Sequence, residues 1–398
     1  MALSHSNDRA RTDTLLAHAG RDPAAHRGMV NTPVYRTSTV IFPTLASYRA
    51  RKDQGDKFVR YGRHGTPTTY AFEEAIAALE GGYKSVAVPN GLAAIVASLA
   101  AFSRPGGHVL VPDNVYTPAR RFCERRLPQW GMEVEFYRPG EGAALGARMK
   151  PATVAVYCES PGSQTFEVQD IPAIAEQARR RGIPVLADNT WATPYFLQPF
   201  ELGIDVSIHA ATKYIGGHSD LMLGVVTANE KHWGAVHRAV DDLGYSVSPD
   251  DCWQALRGLR TLGVRLRQQM RNALAVAQWL REQPAVARVA YPALPGDPGH
   301  ALWKRDFRGA ASLFSVCLKP MPDEALETLL DSMTLFGIGS SWGGYESLVN
   351  VVNAQSSRSV TAYRPDGPAI RLHIGLEDPA DLIADLDQAF AAAGLRQA

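Results

Sequence analysis

Short apolar segments alternate with amphipathic segments along most of the chain. The apolar segments have the length and composition of strands that are buried on both faces of a sheet. They cover Ser85–Val88, His108–Val111, Val134–Tyr137, Val154–Tyr157, Val185–Asp188, Val206–His209 and Gly224–Thr227. Segments with helical spacing, such as Ile171–Arg181, lie between them. This alternation predicts an α/β fold with a mostly parallel sheet and helices on both of its faces.

The regions before and after this alternation have a different character. Residues 1–60 show weak periodicity and include the extended segment Thr32–Pro43, so we expect an arm without its own core. Such an arm usually packs on another part of the protein, often another subunit. A long helical segment over residues 250–283 follows the alternation. Beyond it, strands and helices predict a smaller α+β domain. The strands are Leu313–Leu318 and Ala369–Ile374, and the helices are Asp323–Ser332 and Asp378–Ala393.

The length of the chain, 398 residues, also indicates more than one domain. A single hydrophobic core rarely grows beyond about 250–300 residues. We place the main boundary within the long helical segment, close to Arg257–Leu262. The predicted units are an N-terminal arm over 1–60, a large domain over 61–258 and a C-terminal domain over 259–398.

The charge is balanced, with 41 basic and 40 acidic residues and a formal net charge of +1. Without a basic face or an acidic tail, nucleic acid is not an expected partner. The apolar segments are shorter than the ~20 residues that a membrane helix needs. The first residues, Met1–Arg11, are polar and lack the apolar stretch of a signal peptide. We therefore expect a soluble, cytoplasmic protein without a membrane partner.

The cysteines and histidines do not have the spacing of metal ligands. No Cys-x-x-Cys pair is present, which argues against a zinc site and against a disulfide framework. We expect the cysteines to be small buried apolar residues. The histidines show no paired spacing, so packing or supporting roles are expected and a metal is not. The cysteines are Cys123, Cys158, Cys252 and Cys317, and the histidines include His209, His218 and His373.

Two charged residues at the ends of neighbouring predicted strands indicate cofactor chemistry. Asp188 ends one apolar strand, and Lys213 follows the next, in a turn that contains glycines. Ligands of open α/β sheets bind at the carboxyl ends of strands. A carboxylate there can pair with a protonated pyridine nitrogen, and a desolvated lysine becomes nucleophilic. Alone, Asp188 could be a helix cap and Lys213 a solvated residue, but their adjacent positions favour a cofactor site.

Three further segments could bind anions. Gly91 opens an apolar helix, and free amides at a helix N-terminus attract phosphate, although a glycine there is often only a turn. Arg63 carries the guanidinium fork that binds phosphate bidentately, with a surface ion pair as the alternative. Arg371 lies in an apolar strand, where an arginine needs an anion. That anion could be a substrate carboxylate or the partner in a structural salt bridge.

Taken together, these segments resemble the Cys/Met-metabolism family of pyridoxal-phosphate enzymes, from about Thr12 to Phe390. The resemblance implies a fold-type-I, aspartate aminotransferase-like architecture with pyridoxal 5'-phosphate as cofactor. It also implies a homo-oligomer, expected to be a tetramer built of dimers that share active sites. The motifs that carry it are Tyr61–Thr66, Glu159–Ser163, Ala211–Asp220, Arg257–Leu266, Tyr291–Gly296, Ser341–Ser347 and Arg371–Asp378.

The resemblance implies a role for each candidate cofactor residue. Lys213 would hold the cofactor as a Schiff base, and Asp188 would pair with its pyridine nitrogen. Gly91 and Leu92 would offer backbone amides to the phosphate, and Thr212 would offer its hydroxyl.

The remaining roles involve a neighbouring subunit and the substrate. Tyr61 and Arg63 would reach the cofactor phosphate of the neighbouring subunit. Tyr116 would stack on the cofactor ring and take part in catalysis together with Lys213 and Asp188. The expected substrate-binding residues are Arg371, Ser341, Trp342 and Tyr61.

Two local features favour the β-lyases of this family over its γ-lyases and γ-synthases. Pro161-Gly-Ser-Gln stands where the γ enzymes usually have Pro-x-Asn-Pro, and Trp342 stands where they usually lack a tryptophan. The resemblance thus implies α,β-elimination of L-cystathionine to L-homocysteine, pyruvate and ammonia, a transsulfuration reaction of methionine biosynthesis. Two alternatives stay open: γ-elimination or γ-replacement on cystathionine or methionine, and a catalytically silent regulatory protein with the same fold.

Overall fold

The computed structural model of the chain describes residues 10–55 and 57–396. The first nine residues of the polar segment Met1–Arg11, for which no signal peptide is expected, lie outside the described residues. Within the described ranges, no helix is both long enough and apolar enough to span a bilayer.

Strands and helices alternate as the hydrophobic pattern predicts. The strands are β1 Lys84–Val88, β2 His108–Pro112, β3 Glu133–Tyr137, β4 Thr153–Glu159, β5 Val185–Asp188, β6 Val206–Ala210, β7 Gly224–Ala228, β8 Val286–Ala290, β9 Leu313–Leu318, β10 Gly337–Ile338, β11 Leu348–Val351 and β12 Ala369–His373. The helices are α1 Thr12–His18, α2 Leu45–Ala50, α3 Pro67–Glu80, α4 Gly91–Ala100, α5 Thr117–Arg125, α6 Ile171–Arg179, α7 Thr193–Phe196, α8 Glu230–Asp242, α9 Pro249–Leu259, α10 Leu262–Arg281, α11 His300–Asp306, α12 Asp323–Asp331 and α13 Pro379–Ala392.

The larger sheet has the order β1-β7-β6-β5-β4-β2-β3. The run from β6 to β3 is parallel, and β7 is antiparallel to both of its neighbours. Strands β2 and β7 are buried at every position, because helices cover both faces. Helices α4, α5 and α8 form the core on one face, and α6 contributes to the other. The predicted α/β fold with a mostly parallel sheet is confirmed.

The smaller sheet has the order β10-β11-β12-β9-β8 and is mostly antiparallel. One apolar core extends from α3 and α9 beside the larger sheet to β9, β12 and α13 of the smaller one. The predicted boundary at residue 258 falls near the end of α9, within this shared core. The division into an arm and two domains therefore stays a prediction.

The predicted long helical segment over residues 250–283 is two helices. Thr261 has φ −111° and ψ 4°, which separates α9 from α10. The guanidinium of Arg265 donates a hydrogen bond of 2.9 Å to the carbonyl of Gly258 at the end of α9. Arg260, at the junction, donates to the carbonyls of Leu16 and Ala19 near α1. The side chains of Arg265 and Arg260 thus bind carbonyl groups at the ends of α9 and α1, which the helices themselves leave free.

The cysteines are buried, as the sequence predicted. All four cysteines are buried and none forms a disulfide. Burial raises the pKa of both Cys123 and Cys158 to about 12. These thiols are therefore packed, protonated groups at neutral pH.

Helix α9 fixes the backbone that follows Lys213. A Cβ atom on Gly258 would lie 2.3 Å from the carbonyl oxygen of Ile215 and 2.4 Å from that of Gly216. Arg265 adds a hydrogen bond of 2.8 Å to the carbonyl of Tyr214. The close approach of α9 therefore requires glycine at position 258.

We predict that Gly258→Ala destabilises the protein, because the added methyl collides with backbone atoms that cannot rotate away. Overpacking of this kind costs about 1–3 kcal/mol. Gly234→Ala in α8 is the matched control, since its Cβ would meet only the end of the Arg238 side chain, at 3.3 Å. That change should be neutral or stabilising, because alanine favours helices. Thermal unfolding of both variants measures the difference, and equal midpoints would contradict the prediction.

Candidate active site

One cavity lies between the carboxyl ends of β4, β5 and β6 and the smaller sheet. It brings together Asp188 at the end of β5, Lys213 in the loop after β6 and Arg371 on β12. The other predicted site residues on its wall are Gly91, Leu92, Tyr116, Thr212, Ser341 and Trp342. Residues from distant parts of the sequence thus meet where ligands of open α/β sheets bind.

Lys213 has a neutral hydrogen-bond partner in this cavity. Its Nζ donates a hydrogen bond of 2.8 Å to Oγ of Ser341 and lies 5.2 Å from the centre of the Trp342 ring. Burial lowers the pKa of Lys213 to about 8, and the positive charge of Arg371 acts in the same direction. A lysine with this pKa is partly unprotonated near neutral pH, as a nucleophile or base must be.

Asp188 lies beside a second carboxyl group that the sequence analysis did not assign. Glu159 is its direct neighbour in the register of β4 and β5. Asp188 accepts a hydrogen bond of 2.9 Å from the amide of Thr190, and Glu159 accepts one of 2.8 Å from the amide of Tyr116. The strand pairing, which cannot be derived from either segment alone, is what brings the two carboxyls together.

Burial raises the pKa of both carboxyl groups, and the charge of Asp188 raises that of Glu159 further. Within residues 10–55 and 57–396, no lysine or arginine forms an ion pair with either group. A protonated ring nitrogen next to Asp188 would supply the missing positive charge and favour the ionised carboxylate. This pair of carboxyls therefore fits a pyridinium ligand.

The start of α4 offers free amides to the same cavity. Asn90 caps the helix by accepting a hydrogen bond from the amide of Ala93, which leaves the amides of Gly91 and Leu92 without an acceptor among the described residues. A Cβ on Gly91 would lie 2.5 Å from that of Ala210, so the close packing here requires glycine. The helix terminus fits an anion such as phosphate.

The hydroxyl of Thr212, expected to bind the phosphate, is already hydrogen-bonded to the backbone of Leu223. It donates to the carbonyl of Leu223 at 3.2 Å and accepts from the amide of the same residue at 2.9 Å. A phosphate would have to compete with the Leu223 carbonyl for the single hydroxyl proton. Its predicted role at the phosphate stays a prediction.

Arg371 is held by a carbonyl group. Its Nη2 donates a hydrogen bond of 3.3 Å to the carbonyl of Ser340, and burial lowers its pKa. The part of the chain that the structure describes contains no carboxylate in an ion pair with Arg371. Of the two anions considered for this arginine, a ligand carboxylate fits this environment and a structural salt bridge does not.

His373, two residues further along β12, supports the Trp342 loop. Its Nε2 accepts a hydrogen bond of 3.1 Å from the amide of Gly343. Burial lowers the pKa of His373 to about 3, so the ring is neutral and adds no positive charge beside Arg371. This contact is a supporting role of the kind predicted for the histidines.

Tyr61 and Arg63 lie outside this cavity. Arg63 forms an ion pair of 2.8 Å with Asp241, and Tyr61 pairs with Thr39 in an isolated bridge. Arg63 and Tyr61 line two other pockets, which contain residues of α8. Within one chain they do not reach the cavity, and their predicted contact with a neighbouring subunit stays a prediction.

Another polar cluster lies at the opposite end of the larger sheet. His108, Glu133 and Glu135 place possible ligand atoms within 4.8 Å of one another. Nζ of Lys150 lies 2.6 Å from Glu133 and 3.1 Å from Glu135, where a cation would otherwise sit. The cluster is therefore explained as an ion-pair network.

Comparison with known proteins agrees with this geometry. The family described as "Cys/Met metabolism PLP-dependent enzyme" matches residues 13–391. The chain is 43% identical to "Cystathionine beta-lyase MetC" of Escherichia coli K12 over 96% of this chain and 98% of the relative. It is also 43% identical to "Cystathionine beta-lyase" of Bordetella avium, over 95% and 96% of the two chains.

A solved structure extends the match to three dimensions. The crystal structure of metB from Corynebacterium glutamicum superimposes with a TM-score of 0.89 and 30% identity, over 97% of this chain and 99% of the other. Both the match along the sequence and the match in fold cover nearly the whole chain. The chain belongs to the Cys/Met-metabolism family of enzymes that depend on pyridoxal 5'-phosphate.

Proposed function

We propose that this enzyme is a carbon–sulfur lyase that cleaves L-cystathionine by α,β-elimination to L-homocysteine, pyruvate and ammonia. The observation that carries the proposal is the arrangement of Lys213, Asp188 and Arg371 around one cavity, each without an oppositely charged partner among the described residues. The names of the relatives at 43% identity support the substrate.

The cavity residues divide naturally between the cofactor and the substrate. Asp188 would face the ring nitrogen, the amides of Gly91 and Leu92 would bind the phosphate, and Lys213 would hold the cofactor covalently. When bound, the cofactor supplies an electron sink that stabilises negative charge at the substrate Cα.

The protein side chains would then orient the substrate and move its protons. Arg371 would bind the α-carboxylate through its guanidinium fork, and Ser341 would add a hydrogen bond. The amine of Lys213, released from the cofactor when the substrate amine takes its place, would accept the Cα proton, and its lowered pKa suits this role. The homocysteine thiolate would leave from Cβ, and hydrolysis of the remaining three-carbon fragment would give pyruvate and ammonia.

The contacts of Lys213 also bear on the choice between β- and γ-chemistry. A γ-elimination needs proton removal at Cβ as well as at Cα, so the base must reach two carbon atoms. Here Ser341 and Trp342 lie next to the Lys213 amine, and the Trp342 ring packs 5.4 Å from that of Tyr214. These contacts restrict the amine and favour the β-lyase over the γ-lyase or γ-synthase alternative. A silent regulatory protein would not need the converging charges at all.

The proposal extends to the biological setting. Homocysteine lacks only the S-methyl group of methionine, so we place the reaction in transsulfuration and methionine biosynthesis. We also propose a cytoplasmic location and a homotetramer built of dimers that share active sites, in which Tyr61 and Arg63 reach the cofactor of the neighbouring subunit.

The first prediction concerns the products. Purified enzyme given L-cystathionine should release pyruvate and homocysteine, measured by coupled keto-acid assay and thiol titration. Lys213→Ala should form no measurable pyruvate and should lack the visible absorbance of a lysine-bound cofactor, because the nucleophile and base are gone. If 2-oxobutyrate were the main keto acid, the γ alternative would replace this proposal.

The second prediction concerns the substrate carboxylate. Arg371→Ala should raise KM for L-cystathionine about 10- to 100-fold, because a charge-assisted hydrogen bond contributes roughly 1.5–3 kcal/mol. The absorbance of the bound cofactor should not change. Arg371→Lys, which keeps the charge without the fork, should lie between the wild type and alanine. An exposed arginine, tested as Arg180→Ala, serves as the control, and an unchanged KM for Arg371→Ala would reassign the residue to structure.

The third prediction concerns shared sites. Arg63→Ala and Lys213→Ala should each be nearly inactive alone, yet coexpression should restore about a quarter of the activity, since half of the dimers carry one intact site. The control is coexpression of Lys213→Ala with Arg371→Ala, two residues that line the same cavity within one chain. Assayed at a cystathionine concentration well below the KM of Arg371→Ala, that pair should give no more activity than Arg371→Ala alone. Failure of the first pair to complement would rule out sharing through Arg63.

A further inference from the structure

A polar segment of the smaller sheet reaches across to the larger one. We call residues 354–363, between β11 and β12, the strap. Asp113, at the end of β2, is fully buried and accepts hydrogen bonds from the strap with both carboxylate oxygens. The strap donors are the amide of Ser359 at 2.9 Å, its hydroxyl at 3.1 Å, the amide of Val360 at 3.1 Å, the amide of Thr361 at 2.7 Å and its hydroxyl at 2.6 Å.

Arg120 of α5 completes this anchor. Its Nη1 donates to Asp113 at 3.0 Å, and its Nη2 donates to the Ser359 hydroxyl at 2.6 Å. Burial alone would raise the pKa of Asp113, but the hydrogen bonds from Thr361, Ser359 and Val360 lower it well below its usual value. The carboxylate is therefore ionised throughout the neutral range, and its hydrogen bonds to the strap do not depend on pH there.

A second anchor ties the strap to the loop after β4. The guanidinium of Arg358, whose side chain is only 4% exposed, donates to Glu167 at 2.6 Å and to Thr165 at 2.6 Å. Glu167 also accepts a hydrogen bond of 3.1 Å from the side chain of Asn114. Both anchors thus end on consecutive residues, Asp113 and Asn114.

These two residues begin the short loop that carries Tyr116. The amide of Tyr116 is bound by Glu159, and the carbonyl of Asn114 accepts a hydrogen bond of 3.0 Å from the amide of Ser163. A Cβ on Gly162 would lie 1.9 Å from the Asn114 side chain, so this contact is also close-packed. Within this network the strap holds one end of the loop, and Glu159 holds the other.

We propose that Asp113 is a positioning residue, which fixes Tyr116 against the cavity by binding the backbone of the strap. The smaller sheet, which carries Arg371, and the loop of Tyr116 are thereby held in one relative position. This inference rests on the proposed function, because it concerns the placement of Tyr116 in the same site. Asp113 itself does not line the cavity and would act only through Tyr116.

The first test measures the strap in the holoenzyme without substrate. Asp113→Asn keeps the shape but turns one acceptor into a donor that faces strap donors. Hydrogen exchange of the amides of residues 359–361 should become about tenfold faster or more, on the scale of a lost charge-assisted hydrogen bond. Asp366→Asn, an exposed position just beyond the strap, should leave exchange unchanged. Unchanged exchange in Asp113→Asn would contradict the proposal that Asp113 holds the strap.

The second test asks whether Asp113 acts through Tyr116. With the substrate that the wild type turns over, Asp113→Asn should lower kcat about tenfold or more. In a Tyr116→Ala background, the same change should have little further effect, because the positioned ring is already absent. Losses that multiply would show a general structural role and overturn the proposal.

A milder variant keeps the experiment decisive if Asp113→Asn does not fold. Thr361→Val retains the shape but removes the hydroxyl, which donates to Asp113 and accepts a hydrogen bond of 2.8 Å from Arg358. All backbone donors to Asp113 remain, so the variant should give smaller changes of the same kind in exchange and in kcat. No change in either would overturn the proposal. The exchange readout does not depend on the reaction, so a protein that fails to form pyruvate but shows the exchange effect would refute only the proposed function.

Discussion

The site depends on buried and partly buried ionisable groups that are hydrogen-bonded to neutral groups. Lys213 donates to a hydroxyl, Arg371 donates to a carbonyl, and Asp188 and Glu159 accept from backbone amides. A buried charge without any polar contact would cost several kcal/mol, whereas a direct ion pair would neutralise it. Contacts with neutral dipoles reduce the cost and keep each charge available to a ligand.

This arrangement requires a scaffold that holds the charges apart. The parallel strands end on one side of the sheet and present Asp188 and Glu159 in fixed register. Helix α9 and Arg265 of α10 contact the backbone after Lys213 and hold it in place. The smaller sheet brings Arg371 from the other side, and the apolar core that both sheets share holds the two sheets together.

The sequence predicted those features that depend on local pattern. Each strand of the larger sheet was found within two residues of its predicted ends, because burial on both faces leaves continuous apolar runs. Asp188, Lys213 and Gly91 were identifiable as strand and helix ends. Features that depend on distant contacts were not. The break at Thr261 lies where Arg260 and Arg265 bind carbonyl groups of other elements, and Glu159 becomes the neighbour of Asp188 only through strand pairing. The strap looks like an ordinary polar loop, since its anchor Asp113 lies 246 positions before Ser359.

The burial of the cysteines has a consequence for the chemistry of a free thiol product. Thiol–disulfide exchange needs an accessible thiolate, and all four cysteines are buried, with the pKa of Cys123 and Cys158 raised to about 12. An enzyme that releases homocysteine would otherwise be exposed to mixed disulfides with its own product. Because all four cysteines are buried, the folded chain presents no accessible thiol to such a product.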